Sequence, residues 1–325
     1  MGFKIHPNGG GLVAETAYVA KTAFVGPEAV VYDYAIVKDN ARIQEQARVS
    51  GYAVISGTST VSENARVFGN AELSGDAYVG DDALVYGNAR LYGDVGVGEH
   101  AQVYGNARLS GKIRISGYAS IYGYAELTHE EFDLQLRRVG KRNQSLKRFI
   151  DVCGHATIFE YAKIHDDVQI SDEARVYGHS LIGDEAEISE KAQIFGRAEI
   201  TGKASVSGCA KVYEEASVLD NAALYDNATV YGEAQIRDNA SLSDSVAVYG
   251  EAQVFDDSSL SGEALVFGKA KIYGKANLED HSEASGEAQV FGYATITGYA
   301  KVCGTASVSG IALLKTGVHD EGILT

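Results

Sequence analysis

The chain has 325 residues, with 44 acidic against 28 basic side chains and a net charge of −16. That balance excludes non-specific nucleic-acid binding, because affinity for a phosphate backbone needs surplus Lys and Arg. There is no run of 18 apolar residues and no apolar signal-peptide core after Met1, so neither a membrane span nor export is expected, and the location expected is cytoplasmic.

Residues 1–10 are turn-rich, with Pro7 and Asn8 running into three glycines, and are expected to cap an open sheet edge. From residue 11 one six-residue phrase takes over, said twice in Ala101–Lys112: Ala, polar, aliphatic, Tyr or Ser, Gly, polar. The aliphatic position recurs every six residues from Val13 to Leu127, 20 times of 20. From Val152 to Leu314 it recurs 27 times of 28, the exception being Ala284. No helix has a period of six. Apolar residues two apart read as a strand with one face buried, and the Gly, Asp or Asn that follows suits a left-handed turn. Each hexad is therefore one short strand and one corner.

A second period is 18 residues. Every third hexad carries an aromatic residue just after the aliphatic: Tyr32, Phe68, Tyr86, Tyr104, Tyr122, Phe159, Tyr177, Phe195, Tyr213, Tyr231, Tyr249 and Phe267, with Ser50 in the one remaining place. Three strands and three corners then make one triangular coil, and 48 hexads make sixteen coils. At roughly 4.8 Å per strand the column would be about 75 Å long. The pattern resembles the hexapeptide-repeat superfamily, which includes many acyltransferases. The resemblance implies an all-β fold, a single left-handed parallel β-helix solenoid with a hydrophobic interior of aliphatics and alanines. One detail departs: Tyr, Phe or Ser directly follows the aliphatic, and Gly or Asp comes one later.

The coils are expected over 11–130 and 150–314, interrupted at 131–149. Removing those 19 residues restores the register and continues the aromatic column from Tyr122 to Phe159, so the interruption is a loop bulging from one corner. A capping box at Thr128–Glu131 and apolar residues at Phe132, Leu136 and Val139 predict that it is helical. Its Arg137, Arg138, Lys141, Arg142, Lys147 and Arg148 stand against two acids, a net +4 on an acidic chain. Residues 315–325 leave the hexad register and are expected to form a C-terminal cap. Cys153, Cys209 and Cys303 lie coils apart, too far to pair. The recurrent corner aspartates read as turn residues rather than a calcium repeat, and no metal site is expected.

Two functional readings follow. The first is a structural or binding scaffold, oligomeric, contacting a protein or saccharide partner through its aromatic stripe or its basic loop. The stripe residues Tyr86, Tyr104, Tyr122, Phe159, Tyr177, Phe195, Tyr213, Tyr231, Tyr249 and Phe267 are the candidate interface, and this reading requires no cofactor. The second is implied by the resemblance: a coenzyme-A-dependent acyltransferase whose site lies between the subunits of a homotrimer. The candidate bases are His129, His155 and His165 beside the loop, and the loop cations would hold the phosphates of coenzyme A or acyl-coenzyme A. No residue motif of a characterised acyltransferase is present, so the scaffold ranks first.

Overall fold

A computed structural model describes residues 2–129 and 149–325. The helical reading of 131–149, and with it all six loop cations, lies outside the described residues except for Phe149. The described chain contains 51 strands of two or three residues and no α-helix. One coil shows the plan: Gln102–Val103, Arg108–Ser110 and Ile113–Ile115 are its three strands, one on each of three sheets, here called faces A, B and C. Corners are named by the faces they join. Each strand pairs in parallel with the strand 18 residues away on the same face, as in Leu84↔Gln102 and Gln102↔Ser120. The hydrogen bonds run from coil to coil, so a two-residue strand is stable only inside the stack.

The chain divides into two compact units, Met1–Ser171 and Asp172–Thr325. In each, the core is the repeated aliphatic with the alanine two residues before it, both without solvent exposure at nearly every position. Alanine is needed there because its side chain enters next to a corner, where two faces meet and little room is left. In the first unit Ile113 pairs with Ile150, and Ile115 with Val152. That offset is one coil plus 19 residues, so the segment at 131–149 leaves the register of its neighbours unchanged.

The second residue after the aliphatic takes a left-handed conformation at corner after corner, as at Gly105 with φ 72° and Asp184 with φ 59°. Glycine fits for a steric reason as well as a torsional one. A Cβ on Gly69 would lie 2.9 Å from the Gly87 nitrogen in the next coil. Where the corner carries Asp or Glu, the side chain returns something for the torsional cost. Its carboxylate accepts a hydrogen bond from the backbone N–H of the corner residue one coil on. In the second unit Asp238 donates to Asp220 (3.2 Å), Asp256 to Asp238 (3.3 Å) and Gly274 to Asp256 (3.0 Å). In the first, Glu99 donates to Asp81 and Gly117 to Glu99, both at 2.7 Å. The corner acids are thus engaged with the backbone.

At the N-terminal edge Phe3–Ile5 runs antiparallel to Leu12–Ala14. The Asn8 amide donates to the carbonyls of Thr22 and Ala23, and Asn8 O accepts from Val25 N. Residues 315–325 differ from the expected cap. They add strands Val318–His319 and Ile323–Leu324, paired in parallel with Lys301–Val302 and Ser307–Val308. The hexad spacing shortens to five residues here, because Gly317 (φ 96°) and Gly322 (φ 86°) allow a tighter corner.

Candidate functional site

The insertion leaves and rejoins the first unit at a B–C corner, and two of the three candidate histidines meet there. His129 follows strand Glu126–Thr128, and His165 ends strand Lys163–His165 of the next coil, where it pairs with Thr128. His129 is turned inward and only 8 % exposed. Its backbone carbonyl would lie 1.9 Å from a Cβ placed on Gly111, so only glycine at 111 lets the chain settle there. The His129 Nε2 lies 3.2 Å from Asp167 Oδ1, and its Nδ1 is buried with no hydrogen-bond partner among the described residues. His165 faces outward, with Nδ1 2.5 Å from Asp166 Oδ2. A carboxylate on Nδ1 leaves Nε2 as the atom that can take a proton, which is the arrangement a general base requires. His165 is therefore the solvent-accessible member of the pair, and His129 its buried, oriented neighbour.

His155 is not part of this cluster. It sits at the following C–A corner, stacked on Tyr118 at 4.9 Å, and Tyr118 in turn stacks on His100 at 4.7 Å. On face C beside the insertion, the Arg114 guanidinium lies 4.6 Å over the Phe149 ring. Burial pushes the Asp151 carboxyl above the ordinary carboxylate range, against the pull of Arg114.

The aromatic column follows face A at the A–B corner. In the first unit it runs Phe68, Tyr86, Tyr104, Tyr122, Phe159 with centroids 4.8–5.1 Å apart and interplanar angles of 7° or less. In the second unit Tyr177 to Phe267 stack in the same way, and a separate stack of Phe255, Tyr273 and Phe291 occupies another corner. Each ring inside a stack has both faces covered by its neighbours. Only ring edges reach solvent, which removes the flat platform that saccharide stacking needs. The rings are half-buried rather than exposed. Burial raises the phenol of Tyr104 above its ordinary value, and the phenols of Tyr122 and Tyr86 add to the shift.

A column of exposed aromatics lies two residues further on at the same corner, and sequence reasoning passed over it. At the A–B corner of the first unit, Tyr34, Tyr52, Tyr124 and Tyr161 are 49–62 % exposed. Between them Asn70 donates to Asn88 and Asn88 to Asn106, both at 3.0 Å. The signal was present in the sequence, at 18-residue spacing in the third position after the aliphatic. The partners of the histidines carried no such signal, since Asp167 lies across the insertion from His129. Among the described residues, no group of His, Cys, Asp or Glu is placed to hold a metal ion. The chain matches no protein-family model and no curated protein.

Proposed function

We propose that the chain is a binding scaffold whose contact surface is the tyrosine and asparagine corner of the first unit. The observation that supports this reading is the column Tyr34, Tyr52, Asn70, Asn88, Asn106, Tyr124 and Tyr161, held by the coil at a fixed spacing. Tyr and Asn are the residues that protein-binding surfaces favour: rigid amphipathic rings beside adaptable amides. The stacked rings behind them supply rigidity, not contact area. A protein partner fits better than a saccharide, because no ring face is free inside the stacks. A second copy of this chain is one such partner, and three copies would give the homotrimer that the repeat resemblance implies.

The mass in solution tests this. If the wild type is an oligomer and a Tyr34→Ser, Tyr52→Ser, Tyr124→Ser variant is a folded monomer, the corner is the surface between copies. If oligomerisation is unchanged by the triple variant, the corner is not that surface.

A second reading draws on the His165–Asp166 pair: acyl transfer from coenzyme A, with His165 as base and the 131–149 segment supplying cations. A rise in melting temperature with coenzyme A that Arg137→Gln and Arg138→Gln reduce, together with turnover lost in His165→Ala, would favour this reading over the scaffold.

A further inference from the structure

Two neighbouring strands of face A in the first unit place Arg48 and Arg66 side by side, directly in register. Like charges opposite one another on a sheet are destabilising. Face B of the same unit shows how this chain neutralises such a pair. There Arg90 and Arg108 are also in register, but the strands on either side carry Glu72 and Glu126. Arg90 pairs with Glu72 and Arg108 with Glu126, each at 3.6 Å. The order along face B is Glu, Arg, Arg, Glu. Along face A the order is Val30, Arg48, Arg66, Leu84, and the flanking acids have become aliphatic.

The contrast holds for the described arginines other than Arg175, which stands alone opposite Gln193 rather than beside a second arginine. Arg42 and Arg114 lie over the rings of Phe24 and Phe149. Arg197 pairs with Glu215, and Arg237 with Asp238. Arg48 and Arg66 have no ion pair, ring contact or side-chain hydrogen bond among the described residues, although the chain carries a net charge of −16. Their surroundings are shaped for a ligand. A trough of about 430 Å³ is lined by Gln46, Arg48, Asn64, Arg66, Asp82 and Leu84. Gln46 and Asn64 stand in the turns two residues before the arginines and line the same trough. Asp82 closes the far end, its carboxylate 3.7 Å from His100 Nδ1. Asp82 is the one acid in this lining, against two guanidiniums and two amides.

We propose that Arg48 and Arg66, with the amides of Gln46 and Asn64, form a binding site for a phosphate-class oxyanion. Two guanidiniums offer paired N–H donors in the planar geometry that suits phosphate oxygens, and Leu84 gives the organic part of a phosphomonoester an apolar surface. The free ion and the ester share this chemistry.

The test titrates inorganic phosphate and phenyl phosphate separately into the full chain by calorimetry at low ionic strength. The wild type is compared with Arg48→Gln/Arg66→Gln and with the matched control Arg90→Gln/Arg108→Gln. Circular dichroism checks that all three are folded. The expected result is binding of one or both probes, weakened at least about tenfold in the face A variant and unchanged in the face B variant. Tighter binding of phenyl phosphate assigns the trough to esters, and equal binding assigns it to the free ion. The proposal is overturned if neither probe binds the wild type at about 20 mM, or if the two double variants lose binding equally.

Discussion

At the residue scale, the corner decides what each position tolerates. Gly105 and Gly10 both have positive φ, but a Cβ on Gly105 would lie 2.9 Å from the Gly123 nitrogen, while Gly10 has open space. Gly10→Ala should cost about 1 kcal/mol, the torsional penalty alone. Gly105→Ala should cost at least about twice that, because the clash is with backbone that cannot turn aside. The acidic corners respond differently. Asp238 carries the torsional strain but accepts the Asp256 N–H. Asp238→Gly exchanges that bond and a partly exposed ion pair with Arg237, worth little on the surface, for relief of strain and should be nearly neutral. Asp238→Val loses the bond and worsens the strain, and should destabilise by about 2 kcal/mol. Urea denaturation of the four variants measures these differences. Asp280 makes the same kind of contact. The Thr297 hydroxyl, then the Gly298 N–H and His281, hold its carboxyl below the ordinary value. A depressed carboxyl contributes stability above the unfolded pKa near 4, and that contribution is lost as the pH falls.

At the element scale, the strands are too short to hold themselves together, and the stacks of side chains along the corners add to the ladders of backbone bonds. Tyr104 lies between Tyr86 and Tyr122 with both faces covered. Tyr104→Phe should be close to neutral, whereas Tyr104→Ala should cost about 2–3 kcal/mol in chemical denaturation. Burial raises the phenols of Tyr86, Tyr104, Tyr213, Tyr249 and Tyr273 above their ordinary value. The sign of the pH effect follows. In the unfolded chain these groups ionise near pH 10, while the folded chain keeps their protons to higher pH. Above pH 10 the unfolded state binds fewer protons, so stability falls as pH rises. Thermal melts between pH 9 and 11.5 should show that fall, and a Tyr86→Phe/Tyr104→Phe variant should show it less steeply.

These elements also show what could be read from the chain alone. Strand, corner and coil were legible because each is one period of a pattern repeated dozens of times. The stacking of Phe68 through Phe159 followed from an 18-residue spacing. The covered ring faces did not, because spacing locates a ring without giving its tilt. The corner aspartates were legible as turn residues, but their bonds to the next coil depend on side-chain rotamers. Val318 and Ile323 were read as leaving the coil because two glycines shorten the corners to a five-residue spacing that a six-residue template misses. The site was less legible than the fold. His129 and His165 could be placed at one corner, but their bonds to Asp167 and Asp166 could not, and His155 proved to belong to another corner.

At the scale of the whole molecule, each coil contacts its neighbours and little else, so stability is a sum of local terms. The chain leaves this stack after His129 and rejoins it at Phe149, and Ile113↔Ile150 shows that the coil resumes in register. Deleting residues 130–148, so that His129 joins Phe149, should leave the far-UV circular dichroism unchanged and the melting temperature within a few degrees. Loss of the β signal would mean that the segment is part of the fold. The scaffold reading makes a sharper demand. The chain should be indifferent to the acyl carrier that a catalytic member of the resembled superfamily would bind. The most direct measurement is the melting temperature of the full chain against coenzyme A up to about 1 mM. A ligand at 100 times its dissociation constant would stabilise the folded state by about 2.7 kcal/mol, which is several degrees. The scaffold predicts a flat titration. A saturating rise of several degrees would contradict it and point to catalysis at His165.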